Sequence, residues 1–319
     1  MLFNDLDLNC RAIANTRKAV IRVIGLCRHH EAIVLIALNT DSLISVCAEP
    51  NPDVIISHVR EKQRRGCMMR RIPLGDTGLV VSRLAIGTGT NGWGYNSDQT
   101  RRGFDWLVDL LKLGYDLGIN FWDMADQYGS HKHAREALKG IDREDIVITS
   151  KTTSRDRDAC RRDVERFLRE IGTEYVDIVL LHAKSSGDWN VSCRGAMDAL
   201  AEAKEKGLVR AVGISSHGID ALKTAASEPW VDVILVRINY AGIRMDAPPE
   251  QVIPVLERAH NAGKGIYAMK VLGCGPLASD PEKAIKYVLG LKCVDAMTIG
   301  PTEHEHLRQN AEIIERLGA

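Results

Sequence analysis

The sequence has no excess of charge of either sign. It contains 42 basic and 42 acidic residues, and its isoelectric point is about 7.1. A balanced surface of this kind produces no field that would attract nucleic acid or an anionic membrane. We therefore expect a small-molecule partner, with no nucleic acid and no membrane involved.

Long apolar runs are also missing from the chain. No stretch approaches the roughly 20 apolar residues that a membrane-spanning helix needs. Asp5 and Asp7 lie where a secretory signal would carry basic residues. We expect a cytoplasmic protein.

The cysteines lack the close spacing that metal and redox sites require. All eight are scattered, and none forms a C-x-x-C pair. This spacing argues against a zinc site, an iron–sulfur cluster and a redox-active dithiol. We expect free thiols and no bound metal.

The first part of the chain differs in composition from the rest. Residues before Met68 contain only two of the 27 glycines and a single aromatic residue, and they show no helix or strand pattern that connects to the later residues. One interpretation is a small appended region for interaction. The other, which we favour, is an overextended start with true initiation at Met68 or Met69. The predicted organisation is therefore a poorly ordered segment over 1–68 and a folded domain over 69–319.

From Arg71 onward, short β-branched runs alternate with longer segments of helical spacing, which is typical of repeated βαβ units. Eight strands are predicted, at Arg83–Gly87, Asn120–Ala125, Ile146–Lys151, Val176–His182, Val209–Ser215, Val231–Asn239, Gly265–Lys270 and Ala296–Gly300. Apolar residues between them recur at i, i+3, i+4 and i+7, as in Val164, Phe167, Leu168 and Ile171, and in Val252, Val255, Leu256 and Ala259.

Eight such units close most naturally into an α/β fold of the (β/α)8 TIM-barrel type, because right-handed crossovers place every helix on the outside. A doubly wound open sheet is the alternative. Ahead of the first unit, Ile72–Leu74 and Leu79–Val81 flank a Gly-Asp-Thr-Gly turn. This pattern predicts an N-terminal β-hairpin that forms the floor of the barrel.

Four ionisable residues lie at or just after the ends of three consecutive predicted strands, where barrel active sites form. They are Asp123, Tyr128, Lys151 and His182. Each alone has a structural interpretation: a helix cap, a rim aromatic, a solvent-reaching lysine and a satisfied core histidine. Together they predict a proton-transfer set in which the ammonium stabilises the phenolate and lowers the pKa of the phenol.

These residues carry a resemblance to the aldo-keto reductase family, which extends from about Arg71 to the C-terminus. Five segments match in order along the chain: Phe121–Gly129, Ile148–Lys151, Leu180–His182, Gly213–Ser216 and Ile299–Thr302, the last with Leu307 and Asn310. The resemblance implies that Tyr128 is the general acid and that Lys151 modulates its pKa. It also implies that Asp123 holds Lys151 and that His182 orients the substrate carbonyl.

Members of that family bind a nicotinamide dinucleotide without a G-x-G-x-x-G motif. The resemblance implies two groups of cofactor-binding residues: Ser215, Ser216 and Arg237 at the nicotinamide carboxamide, and Gly300, Thr302 and Asn310 on the adenosine side. The glycine-rich turn with Gly273 and Gly275 is a candidate for contact with the pyrophosphate. Glycines permit close approach of the backbone to a phosphate. The glycine-rich turn is equally consistent with an ordinary strand-to-helix loop.

The sequence departs from the family where many members place a lysine and an arginine for the extra phosphate of NADP(H). Gly300 and His306 stand at those positions, and His304 and Arg308 are the nearby candidates to compensate. An ordinary imidazole is mostly neutral at neutral pH. We therefore expect NADP(H) to be used with a modest margin over NAD(H), and the margin to widen below neutrality.

Three functions compete for this sequence. The first is an NAD(P)H-dependent oxidoreductase that reduces an aldehyde or ketone, or oxidises the alcohol, with Tyr128 as the general acid. The second is a lyase in which Lys151 forms a Schiff base with a carbonyl substrate. The third is a non-catalytic module that senses the cofactor.

Overall fold

A computed structural model of the chain describes residues 69–318 and, for the backbone only, residues 22–28, 31–37 and 43–46. The chain divides into two compact units, Met1–Gly66 and Cys67–Ala319. The first unit contains an antiparallel sheet of β1 (Arg22–Arg28), β2 (Glu31–Ala37) and β3 (Leu43–Val46). The rest of the predicted 1–68 segment lies outside the described residues.

The second unit is a closed barrel of eight parallel strands preceded by a hairpin. Its strands are β4 (Arg71–Pro73), β5 (Val80–Ser82), β6 (Leu84–Gly87), β7 (Phe121–Asp123), β8 (Val147–Thr152), β9 (Val176–Lys184), β10 (Val209–Ser216), β11 (Val233–Arg237), β12 (Gly265–Met269) and β13 (Ala296–Ile299). Strands β6 to β13 follow one another around the barrel in chain order, and β13 pairs with β6. All eight predicted strands are confirmed. The doubly wound sheet is excluded because the sheet has no edge.

Helices follow the barrel strands on the outside. In chain order they are α1 (Asp98–Arg101), α2 (Phe104–Asp116), α3 (His131–Ala137), α4 (Arg157–Ile171), α5 (Trp189–Ser192), α6 (Arg194–Glu205), α7 (Ile219–Ser227), α8 (Pro249–Asn261), α9 (Pro281–Leu289) and α10 (His304–Arg316). Short 3-10 turns lie at Asp126–Tyr128 and Arg143–Asp145.

The predicted helix faces are the ones that pack on the sheet. Three of the four apolar residues picked out on α4 are fully buried, and Leu168 is half-buried. All four on α8 are buried in the same core. The spacing of i, i+3, i+4 and i+7 therefore predicted the buried face of both helices.

The hairpin closes the amino-terminal end of the barrel, as predicted. Ile72 in β4 lies opposite Val81 in β5, and Leu74, Leu79 and Val81 pack with the inward-facing residues of the barrel strands. The turn at Gly75 has φ +50°, and a Cβ there would lie 2.3 Å from the backbone nitrogen of Gly265. Only glycine fits this close contact between the floor and β12.

Parallel strands place all their carboxyl ends at the opposite end of the barrel from this floor, and we call that end the mouth. Among the helices in the described part of the chain, none is long and apolar enough to cross a bilayer.

Candidate functional site

A cleft opens at the mouth of the barrel, between the ends of β6, β7, β12 and β13. Asp123 and Tyr128 line one part of it, and the loops after β6, β12 and β13 line the rest. Its other lining residues are Gly87, Gly89, Thr90, Leu235, Met269, Lys270, Val271, Leu272, Cys274, Thr298, Ile299 and Gly300. The cleft therefore combines two residues of the predicted tetrad with the predicted adenosine-side residue Gly300.

A buried ion pair joins the ends of β7 and β8. The Lys151 ammonium lies 2.6 Å from Asp123 Oδ1 and also donates to the carbonyl oxygen of Met124 at 2.7 Å. Lys151 is fully buried, and burial lowers its pKa while the Asp123 carboxylate opposes the shift. The predicted partnership of these two residues is present.

Two further side chains hold the Asp123 carboxylate. The Tyr267 hydroxyl donates to Oδ1 at 2.9 Å, and the Thr298 hydroxyl donates to Oδ2 at 3.3 Å. The sequence reasoning missed both. The alternation of side chains along β12 and β13 could have indicated that both face the barrel interior, because every second residue of a strand points to the same side.

Tyr128 projects from the 3-10 turn after β7, and its ring packs against the backbone of two glycines. A Cβ on Gly89 would lie 2.1 Å from its ring, and one on Gly92 would lie 2.5 Å from it. The Tyr128 hydroxyl lies 3.4 Å from His182 Nε2. Lys151 Nζ lies 5.0 Å from the centre of the Tyr128 ring, so the ammonium faces the ring and donates to other oxygens.

The expected lowering of the phenol pKa does not occur. Burial and the negative charge of Asp123 raise the pKa of Tyr128 above its ordinary value. The prediction was wrong because burial of the phenol dominates its pKa, and the Lys151 ammonium is bound to Asp123 and Met124. A phenol of this kind stays protonated at neutral pH, which is the form that a proton donor must have.

His182 at the mouth end of β9 is a neutral imidazole. Burial lowers its pKa well below the ordinary value, and the charge of Lys151 adds to the effect. Its Nδ1 is buried without a hydrogen-bond partner among the described residues. On its open side the ring lies 5.9 Å from that of Trp93, which is 62% exposed. The site thus places a neutral imidazole next to the phenol that lines the cleft.

The residues predicted at the nicotinamide carboxamide lie at the ends of β10 and β11, and they are outside the cleft lining. Ser215 Oγ accepts a hydrogen bond from the Ala183 amide at 2.9 Å, and Ser216 Oγ donates to the carbonyl oxygen of Gly218 at 3.1 Å. Ser215 retains a hydroxyl hydrogen that could be donated. Arg237 pairs with Asp246 at 2.9 Å, and Arg237 Nη2 lies 2.6 Å from His217 Nδ1.

The predicted pyrophosphate glycines lie on the loop after β12. Gly273 and Gly275 have φ +60° and +123°, which only glycine adopts readily. Their neighbours Leu272 and Cys274 line the cleft. At Gly300, which lines it as well, a Cβ would lie 2.2 Å from Thr90 Oγ1, so close packing against Thr90 requires glycine there.

The remaining predicted residues lie around the start of α10. Thr302 Oγ1 is 3.3 Å from His306 Nδ1. His304 stacks on Trp106, and its Nε2 lies 3.1 Å from the Trp106 carbonyl oxygen. Arg308 is exposed, and Asn310 is buried. The two histidines therefore already have local partners, whereas Arg308 has no ion pair with any described residue.

In the described ranges, no group of three or more histidine, cysteine, aspartate or glutamate side chains is arranged to hold a metal. The four described cysteines, Cys160, Cys193, Cys274 and Cys293, are free thiols.

A family model described as the aldo/keto reductase family matches residues 83–287 of this chain. Two curated relatives are an NADH-specific methylglyoxal reductase of Escherichia coli, 27% identical over 54% of this chain and 59% of its own length, and a D-threo-aldose 1-dehydrogenase of a Pseudomonas species, 29% identical over 58% and 65%. The matches thus span less than two thirds of either relative.

Among solved structures, the chain resembles a putative aldo-keto reductase from Pseudomonas aeruginosa. The TM-score is 0.66 and the sequence identity is 29%, over 78% of this chain and 95% of that one.

Proposed function

The chain belongs to the aldo/keto reductase family, and from this premise we propose that it is an NAD(P)H-dependent oxidoreductase that reduces an aldehyde or ketone, or oxidises the corresponding alcohol. The observation that carries the proposal is the pairing at the cleft of Tyr128, whose hydroxyl lies 3.4 Å from His182 Nε2, with the buried Lys151 and Asp123 ion pair behind it.

The residues at the mouth fit a nicotinamide dinucleotide. The cleft runs from Tyr128 to Gly300 and is lined along its length by the loops after β6, β12 and β13. We propose that Gly300, Thr302, Arg308 and Asn310 hold the adenosine end, and that Ser215 holds the carboxamide through its free hydroxyl hydrogen. When bound, the reduced nicotinamide supplies the hydride.

The chain's own residues would supply the proton and the orientation. Tyr128 donates its phenolic proton to the carbonyl oxygen, since a phenol is protonated at neutral pH. His182 is neutral, so its Nε2 can share a hydrogen bond with the same oxygen. Lys151 forms the buried ion pair with Asp123 behind the Tyr128 ring, with its Nζ 5.0 Å from the ring centre.

A Schiff-base lyase is less compatible with this geometry. Lys151 is fully buried, and its ammonium is committed to Asp123 and to a backbone carbonyl. Attack by the amine would require the ion pair to break and leave an uncompensated buried carboxylate. Borohydride trapping of a carbonyl compound on Lys151 would overturn the hydride-transfer proposal.

The test is a spectrophotometric screen of NADPH and NADH against a panel of aldehydes, ketones and sugars, with wild type and Tyr128→Phe. We expect wild type to oxidise the cofactor, and Tyr128→Phe to lose a factor on the order of 10²–10⁴ in turnover, because the general acid is removed. The matched control is Tyr175→Phe, which removes a phenolic hydroxyl just before β9, at the other end of the barrel. Unchanged turnover in Tyr128→Phe would exclude this mechanism, and nucleotide binding without any turnover in wild type would favour the sensing module.

We also infer that NADP(H) is used with a modest margin over NAD(H). The charge of Arg308 supports this, since that side chain is exposed and unpaired among the described residues, while His304 is occupied by Trp106. Arg308→Ala should lower the NADPH to NADH ratio of kcat/KM roughly tenfold, because a hydrogen bond to a charged group contributes about 1.5–3 kcal/mol.

The control for that change is Gln309→Ala, on the same helix and also exposed. In wild type we expect the ratio to increase from pH 8 to pH 6, because imidazole groups in general gain a proton over this interval. A strong preference for NADPH that is independent of pH and survives Arg308→Ala would place the phosphate at other residues.

A further inference from the structure

Basic side chains are concentrated at the mouth of the barrel. Lysine, arginine and histidine side chains end or follow five consecutive strands, β8 to β12: Lys151, His182, Lys184, His217, Arg237 and Lys270. Each one without a carboxylate nearby leaves positive charge that a ligand can use.

Two of these cations already have counterions. Lys151 pairs with Asp123 at 2.6 Å, and Arg237 pairs with Asp246 at 2.9 Å. Both partners are acidic residues of the mouth itself. Neither pair therefore leaves an uncompensated charge for a ligand.

The two histidines are neutral. Burial and the neighbouring cations lower the pKa of His182 well below its ordinary value. The pKa of His217 falls to about 3, through burial first and then the charges of Arg237 and Lys270. Both rings can take part in hydrogen bonds, but neither provides a charge near neutral pH.

Lys184 is directed away from the cleft. It is 8% exposed, and its ammonium lies 3.6 Å from Cys193 Sγ, a residue that immediately precedes α6. It is absent from the cleft lining. The Lys184 ammonium is thus occupied by the Cys193 thiol.

Lys270 differs from the other five. It lines the cleft together with Asp123 and Tyr128. Within residues 69–318 its ammonium has no hydrogen bond and no carboxylate at ion-pair distance, although the residue is only partly exposed. Its backbone is held in place, since the Lys270 carbonyl oxygen accepts a hydrogen bond from Asn239 Nδ2 at 3.1 Å. A partly buried cation with a fixed backbone and an unused head group is what an anion-binding position requires.

We propose that Lys270 binds an oxyanion, a phosphate or a carboxylate, of a ligand held in the cleft. Two ligands could carry that group: the dinucleotide through its diphosphate, or a carbonyl substrate through an acid group of its own. The identity of these two carriers rests on the proposed function, whereas the anion site follows from the charges at the mouth. If the second carrier is the correct one, the substrates are oxo acids or phosphorylated carbonyl compounds.

The test compares Lys270→Met, Lys270→Arg and a control, Lys206→Met. Methionine preserves the length of the apolar stem without the charge, and Lys206 is exposed at the end of α6 that leads into the amino terminus of β10. The first measurement is the dissociation constant of NADPH and of NADH, from quenching of protein fluorescence. The second is equilibrium binding and kcat/KM for 4-carboxybenzaldehyde and benzaldehyde, which differ by one carboxylate.

We expect Lys270→Met to weaken one of these interactions about tenfold or more, Lys270→Arg to retain most of it, and Lys206→Met to match wild type. Weaker binding of both dinucleotides assigns the diphosphate. A selective loss for 4-carboxybenzaldehyde assigns the acid group of the substrate. Unchanged affinity for both dinucleotides, together with an unchanged ratio between the two aldehydes, would overturn the proposal. A wild type that binds NADPH but reduces no carbonyl would refute the proposed function, and the binding measurements would still test Lys270.

Discussion

Tyr128 is held in position by shape rather than by hydrogen bonds. Its ring lies against the backbone of Gly89 and Gly92, where any side chain would overlap with it, and its hydroxyl has one long contact, to His182. The lack of a Cβ at these two glycines therefore makes room for the ring of the proposed acid. Glycine is required here for space and not for its backbone conformation, since neither residue has a positive φ.

Gly89→Ala should therefore impair catalysis without unfolding the barrel. The new Cβ would meet Tyr128 Cε2 at 2.1 Å, so the ring must move, and a displacement of about 1 Å can cost roughly 10²-fold in rate. We expect a loss of this order in kcat, with the melting temperature reduced by only a few degrees. Gly290→Ala is the control, because an added Cβ there meets ordinary contacts at 3.4 Å. Full activity in Gly89→Ala would show that the ring position is not what limits turnover.

Asp123 is the point at which distant parts of the barrel meet. It binds Lys151 from the neighbouring strand, and Tyr267 and Thr298 from the last two strands. These three side chains together satisfy both oxygens of the carboxylate, which lowers the cost of burying it. The ion pair is therefore a fixed part of the site wall and not a mobile one.

At the scale of elements, two histidines at the carboxyl ends of β9 and β10 make the free energy of unfolding depend on pH. His182 ends the apolar part of β9 and His217 follows β10, and both have pKa values below the ordinary value of an imidazole. The unfolded chain takes up protons at these residues near pH 6.5, whereas the folded chain does not. Acid therefore favours unfolding through these two elements.

We expect the unfolding free energy to be fully maintained above about pH 6.5 and to decrease below it, by up to roughly 1.4 kcal/mol per pH unit for each histidine. Urea unfolding at pH 7, 6 and 5 measures this slope. The variant with His182→Asn and His217→Asn together should have a shallower slope over the same interval. An equal slope in the two proteins would mean that other groups take up the protons.

At the scale of the whole molecule, the barrel sheet is complete within the second unit. Residues from 69 onward include the floor hairpin and all eight strands of the closed sheet. The Met69 side chain is itself 2% exposed and belongs to the main core. Met69 is therefore the residue from which a shortened chain should start.

A chain that begins at Met69 should fold, melt within a few degrees of the full chain and retain its activity. A matched chain that begins at Leu74 lacks β4, and it should lose several kcal/mol because the hairpin no longer covers the barrel interior. Thermal melts and the reductase assay check both. Loss of soluble protein on truncation to Met69 would show that the earlier residues are required for folding.

Much of the fold could be predicted because its signals are local. Each β-branched run or segment of helical spacing can be recognised within about 5 to 15 consecutive residues. The order of these segments, together with the rule of right-handed crossovers, then predicts a barrel. The four ionisable residues at the mouth were predictable for the same reason, since each follows its own strand or turn. The carboxyl ends of all strands in a parallel barrel lie at the same end, so the sequence alone predicted that these four residues converge at the mouth.

Only the tertiary structure decided how those residues act on one another. Tyr267 reaches Asp123 from 144 residues away in the chain, and no local pattern encodes such a contact. The Lys151 ammonium was expected to act on the phenol, but it is committed to Asp123, and burial raises the pKa of Tyr128 instead. The unpaired state of Lys270 likewise depends on where every nearby carboxylate lies. Chemical type and strand position are local properties of the chain, whereas desolvation and charge pairing are sums over all neighbours in space.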